Sequence, residues 1–184
     1  ADYNYESLLR CAYDPNDKQI NPLGVGEQEF ILRDEEITYL LRFQNTGNDY
    51  ARDIRLIDTI DPIFDIRSFE LVNSSHNVYT EILDNVVTFY FDDIYLIDST
   101  TNLEESQGFV SFNLKILEDT PDFSVVNNFA DIYFDFNPPI RTNTVTNTVV
   151  EDFPTSTEDD RIEKVISVHP NPTDGRVRIR STQD

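Results

Sequence analysis

The 184-residue chain has no Met and no Trp, a single Cys, two His and five Gly. Basic residues are scarce as well: Lys and Arg number 14 against 35 Asp and Glu, a formal net charge of −21. These shortages exclude function classes. A nucleic-acid binder needs a basic face to neutralise phosphates, and an anionic membrane surface repels a chain of this sign. With Cys11 alone no internal disulfide forms, and no basic neighbour in sequence activates its thiol, so it reads as a small half-buried apolar residue. His76 and His169 stand far from Cys11 and from each other, and no Gly-x-Ser-x-Gly elbow, Gly-rich phosphate loop or His-x-x-x-His pair occurs. Acid pairs such as Asp92-Asp93 and Glu104-Glu105 follow from the acidity itself. The expectation is a protein that is not an enzyme. No apolar run reaches the ~20 residues of a membrane-spanning helix. Ala1 leads into acidic, polar residues rather than a signal peptide, so an exported protein is expected to be a processed chain or a fragment.

What the chain does have is a period of two. Over residues 36–44, Ile37, Tyr39, Leu41 and Phe43 fall on one face, and Asn45-Thr46-Gly47-Asn48 supplies a turn. Strands are expected at 52–58, 68–72, 77–83, 86–91, 109–116, 130–136 and 140–150, with turn residues between them. No window has helical period with caps. Short strands at this spacing predict an all-β fold, an immunoglobulin-like antiparallel β-sandwich, and 13 Phe and 9 Tyr can fill its core. The expected organisation is an irregular N-terminal segment at 1–24, the sandwich at 25–150, an acidic linker at 151–164 and a separate unit at 165–184. The linker, rich in Asp, Glu, Ser, Thr and Pro, repels itself and stays open to a protease.

Two stretches carry a family resemblance. From Val165 and Val168 the chain enters His169-Pro170-Asn171-Pro172-Thr173-Asp174-Gly175 before Val177-Arg178-Ile179 resumes alternation. Physically this is a turn between strands, with proline-fixed φ and Asp-Gly for positive φ. It resembles the start of a type A C-terminal sorting domain of the type IX secretion system. The sorting signal is then His169, Pro170, Asn171, Pro172, Asp174 and Gly175, its reader is the secretion machinery, and the unit is expected to be shorter than a whole sorting domain. Residues 13–150 resemble a β-sandwich module of Bacteroidota surface and secreted proteins, through Tyr13-Asp14-Pro15-Asn16-Asp17-Lys18, Arg42-Phe43-Gln44-Asn45-Thr46-Gly47-Asn48, Asp98-Ser99-Thr100-Thr101-Asn102 and Tyr133-Phe134-Asp135-Phe136-Asn137-Pro138-Pro139-Ile140. That module has no assigned biochemistry, and the resemblance implies a fold and a location: secreted or on the outer cell surface.

Candidate sites follow from residue chemistry. Asp14, Asn16 and Asp17, with Asp135 and Asn137, offer hard oxygen donors for Ca²⁺, against the plainer reading of Asx-turns, which is favoured. No other cofactor is expected. Thr59 and Ser99 lie in Asp-Thr-Ile and Asp-Ser-Thr stretches that resemble the O-glycosylation acceptor of the same bacterial phylum. Lys18 beside acids raises an isopeptide cross-link of the kind seen in some adhesins. That needs a buried Lys–Asn–acid triad and ranks well behind the plainer readings. The functional expectation is a structural, spacer or assembly module. The alternatives are a module that binds a surface glycan or protein through a patch of exposed aromatics supplied by Tyr79, Phe89, Tyr90, Phe91 and Tyr95, with period two turning Phe89 and Phe91 one way and Tyr90 the other, and a filament subunit that self-assembles by adding segment 1–12 to a neighbour's open sheet edge.

Overall fold

Alternating apolar and polar side chains build the framework of the protein, whose computed structural model describes residues 15–154. Among these there are strands and turns and no helix. A four-stranded sheet has the order β1 (Asp17–Asn21), β3 (Glu36–Gln44), β8 (Gln107–Ile116), β5 (Phe64–Ser74). A five-stranded sheet has the order β11 (Ile140–Arg141), β10 (Ala130–Phe134), β4 (Ile54–Thr59), β7 (Val86–Phe91), β6 (Tyr79–Leu83). A smaller sheet places β12 (Val145–Val150) between β2 (Phe30–Leu32) and β9 (Ser124–Asn128). All pairings are antiparallel except β2 with β12, which run parallel and bring the early and late parts of the sandwich together.

The core lies between the two larger sheets. Ile37, Tyr39, Leu41 and Phe43 of β3 and Val110, Phe112 and Leu114 of β8 are buried from one side. Ile54 and Leu56 of β4, Val87, Phe89 and Phe91 of β7 and Ile132 of β10 meet them from the other. Each such side chain contributes about 1.5–3 kcal/mol relative to exposure. Phe112 anchors an aromatic cluster, with ring centroids 5.3 Å from Phe89, 5.4 Å from Phe69 and 5.6 Å from Tyr39. Gly108 faces Phe43 across the β3–β8 ladder, where a Cβ would overlap the phenylalanine ring. Only glycine admits that approach.

The structure adds β2 and β9, where no strand was expected, and corrects the sequence expectations in four further places. The sandwich begins before residue 25, because β1 lies within the segment read as irregular and points Lys18 and Ile20 inward. A lysine at a core position breaks the apolar alternation. The strand expected at 68–72 is longer, running from Phe64 to Ser74, because register shifts against β8 disturb its pattern. The strand expected at 130–136 stops at Phe134. Asp135 takes φ 52° and accepts hydrogen bonds on Oδ1 from the backbone N–H groups of Arg52 and Asp53 at 2.9 and 2.8 Å, which turns Phe136 fully into solvent. Finally, residues 140–150 form two strands. Thr142 is held at the start of β10, its N–H donating to Ala130 O and its Oγ1 accepting from Ala130 N, both at 3.0 Å. Beyond it the chain crosses to pair with β9.

Candidate functional site

The most unusual chemistry in the described residues is inside the core. Lys18 comes from β1 in the four-stranded sheet, Asp58 from β4 in the five-stranded sheet and Asn128 from the last position of β9 in the small sheet. Topology brings them together. Asp58 is paired with Ala130, the first residue of β10, and Asn128 lies two residues before it, where the chain passes between sheets. Lys18 enters from the facing sheet, its main chain clamped by Asn143, whose Oδ1 accepts from Lys18 N at 2.8 Å and whose Nδ2 donates to Lys18 O at 3.0 Å.

The Lys18 ammonium donates from Nζ to Asp58 Oδ2 and to Asn128 Oδ1. The side chains of Lys18 and Asp58 are 0% exposed, and Asn128 is 1% exposed. Aromatic rings wall the lysine, with Nζ 4.2 Å from the Tyr39 ring centroid and 5.6 Å from that of Phe112. Burial pulls the Lys18 pKa below the ordinary lysine value, opposed by the charge and hydrogen bond of Asp58. Burial likewise pushes the Asp58 carboxyl up, opposed by Lys18 and by Asn128. Desolvation dominates both, so the site drives the pair toward its uncharged forms. Tyr39 is raised too, by burial first and then by the negative charges of Asp58 and Asp61.

Satisfaction of this triad is incomplete. Asn128 reaches Asp58 closely enough to favour its carboxylate, yet Asn128 Nδ2 and Asp58 Oδ1 are both buried without a well-formed hydrogen bond. A buried unpaired polar group costs about 1–3 kcal/mol, and a buried ion pair is seldom a net source of stability. A lysine, an acid and an amide in mutual contact inside a dry aromatic cage therefore call for a reason other than packing. From the sequence Lys18 alone stood out as one end of a Lys–Asn–acid triad, behind plainer readings; Asp58 and Asn128 were not singled out, because polar residues disguise the strands that carry Lys18 and Asn128.

The expected calcium residues that are described each hold other protein groups. Asn16 is buried and its Oδ1 accepts from Gln44 N at 3.1 Å, a long-range bond. Asp17 pairs with Arg42, whose Nε donates to Asp17 Oδ1 at 2.6 Å. Asp135 holds the Arg52 and Asp53 amides, and Asn137 donates from Nδ2 to Phe134 O at 3.0 Å. Asp14 lies outside the described residues, as do Cys11, segment 1–12 and the sorting residues His169, Pro170, Asn171, Pro172, Asp174 and Gly175. Among the described residues no group of three His, Cys, Asp or Glu side chains gathers to hold a metal. Thr59 is exposed at the end of β4, while its neighbours Asp58 and Ile60 are buried. Ser99 is half-buried beside Asp98, whose carboxylate binds the backbone N–H and hydroxyl groups of Thr100 and Thr101 and is held near pKa 2 by the Thr100 and Thr101 hydroxyls.

The aromatics divide as period two requires: Phe89 and Phe91 point into the core and Tyr90 outward. Register aligns Tyr133, Arg55, Tyr90 and Tyr79 in one row across β10, β4, β7 and β6. Tyr79 and Tyr90 have centroids 5.9 Å apart, and the Arg55 guanidinium lies 4.7 Å from the Tyr133 ring. Tyr95 is exposed elsewhere, after β7.

A family model described as a domain of unknown function (DUF7619) matches residues 14–148. The chain belongs to that family. The matched residues include β1, so the family's sandwich contains the strand that bears Lys18. No curated protein matches the sequence significantly. Among solved structures, the fold is similar to the N-terminal domain of the Streptococcus gordonii adhesin Sgo0707, at TM-score 0.53 and 13% identity, covering 74% of this chain and 33% of that one. It is similar to the major pilin subunit BcpA of Bacillus cereus, at TM-score 0.51 and 19% identity, over 73% and 39% of the two chains. It is also similar to the C-terminal domain of the Streptococcus pyogenes antigen I/II-family protein AspA, at TM-score 0.51 and 9% identity, over 76% and 54%. This chain thus spans between a third and about half of those structures. The likeness establishes the all-β, immunoglobulin-like sandwich.

Proposed function

We propose that this chain is a structural module, a spacer or assembly unit without catalytic turnover, of a protein secreted to the outer cell surface. The observation that carries this reading is the inward direction of its chemistry. Lys18, Asp58 and Asn128 are sealed between the sheets, where they can join parts of the fold but cannot meet a substrate. Similar sandwiches build an adhesin domain and a pilin subunit, and work of the same kind suits a module that holds another region off the cell. The Pro170-Asn171-Pro172 run supports export by the type IX machinery, and the acidic stretch 151–164 is where a protease would remove the sorting segment. Deleting residues 169–175 in a bacterium with that system, and labelling intact cells with an antibody to the sandwich, tests the export reading. Label is expected to disappear from the surface while the protein accumulates inside; undiminished surface label would overturn it.

One observation favours a second reading, a carbohydrate-binding module. The row Tyr133, Arg55, Tyr90 and Tyr79 offers flat rings and a guanidinium to a sugar, beside a shallow depression lined by Asp92, Asp135 and Phe136. A glycan array with the protein and its Tyr79→Ala and Tyr90→Ala variants decides it: binding that both variants lose supports the module, and no binding at all ends it. Filament growth through segment 1–12 is tested by deleting that segment, since polymers that persist would refute strand addition.

A further inference from the structure

We propose that the folded chain joins Lys18 to Asn128 through an intramolecular isopeptide bond, with Asp58 as the acid–base group that drives its formation. The geometry supplies each part. Lys18 Nζ, the nucleophile, is in contact with the carboxamide of Asn128 and with the carboxylate of Asp58. Asp58 Oδ1 and Asn128 Nδ2, the acid oxygen and the nitrogen that would leave, are the two buried atoms of the triad without a hydrogen-bond partner. The side chains of the lysine and the acid are shut off from solvent, so water neither protonates the amine nor hydrolyses the product.

The step balances within the triad. A proton passes from Nζ to Asp58, which converts the ion pair to amine and acid, the direction in which burial already pushes both groups. The Nζ lone pair attacks Cγ of Asn128, while the Asp58 acid donates to the amide oxygen and stabilises the tetrahedral intermediate. Asp58 then takes a proton from Nζ and delivers one to Nδ2. The Cγ–Nδ2 bond breaks, ammonia departs, and Asp58 is again protonated. One C–N bond forms and one breaks, nothing is oxidised or reduced, and no cofactor enters. The same residues in a plain ion pair would leave the amide intact.

This inference goes beyond the spacer reading and stands on the triad alone. Intact mass spectrometry of the purified, folded protein tests it, followed by peptide mapping. The expected mass is lower than the sequence mass by one ammonia, with a branched peptide joining the segments that contain Lys18 and Asn128. Asp58→Ala and Asn128→Ala are both expected to keep the full sequence mass. The full sequence mass in the folded wild-type protein would overturn the proposal, and that result needs no variant to fold. Loss of one water with a Lys18–Asp58 branch would overturn it as well, by making the acid the acceptor. Lost ammonia without a branched peptide would assign the change to a cyclised asparagine and refute the cross-link.

Discussion

Replacing Asn128 with alanine removes the acceptor amide and leaves Lys18 and Asp58 as partners. If Lys18 and Asn128 are joined, the bond ties residues 110 apart in sequence, and its absence frees the unfolded chain by about 5 kcal/mol on the loop-entropy relation for covalent cross-links. The small cavity left by the truncated side chain adds about 1 kcal/mol. For a domain of this size each kcal/mol corresponds to roughly 3 °C in Tm, so Asn128→Ala is expected to melt about 15–20 °C lower. Thermal unfolding followed by circular dichroism measures this, with near-ultraviolet spectra to show that the variant retains its aromatic packing. An uncross-linked asparagine would cost only its hydrogen bond and a small cavity, about 1–3 kcal/mol. A decrease of less than about 8 °C would therefore refute the covalent account.

Other consequences are independent of that bond. Asp98 is held near pKa 2 by Thr100 and Thr101, below its ordinary value, so its contribution to stability is full above about pH 4 and is lost as pH falls toward 2. Asp98→Ala is expected to flatten that acid limb in denaturant titrations, and an unchanged limb would remove Asp98 from the account. Gly108→Ala forces a methyl into the Phe43 ring and is expected to destabilise the fold by about 1–3 kcal/mol, read from the urea midpoint. A neutral result would mean that β3 and β8 can separate freely there. Chelating calcium is expected to leave Tm unchanged, because Asn16, Asp17, Asp135 and Asn137 already hold protein groups. A fall restored by Ca²⁺ would support the metal reading.

Strands that bury one face were legible because their side chains keep strict alternation. Ile37 to Phe43 in β3, Val110 to Ile116 in β8 and Val87 to Phe91 in β7 occupy the expected positions. Strands with polar residues turned inward were not. In β1 the buried face is Lys18 and Ile20, flanked by Asn16 and the Asn21-Pro22 turn. In β9 the final inward residue is Asn128 itself, next to Asn127 in a pair that reads as a strand breaker. The two ends of the proposed bond were thus hidden for the reason that makes them chemical: a polar group at a core position violates the apolar pattern by which strands are read. Lys18 was visible in sequence, but its partners Asp58 and Asn128 are brought to it only by the meeting of three sheets. The landmark polar residues were informative in another way. Asn45, for example, donates from Nδ2 to Asp49 O and Leu96 O at 2.8 Å each and fixes the turn after β3.

A module built to hold is tested most directly by pulling. Stretched between residues near 15 and 154, a chain joined at Lys18 and Asn128 can release only the segments outside the bond, roughly 100 Å of contour. Without the bond the whole described chain extends, roughly 480 Å. Single-molecule force spectroscopy on the wild-type protein is predicted to show the short extension, and on Asn128→Ala the long one. A long extension from the wild-type protein would contradict the claim that the core is covalently locked.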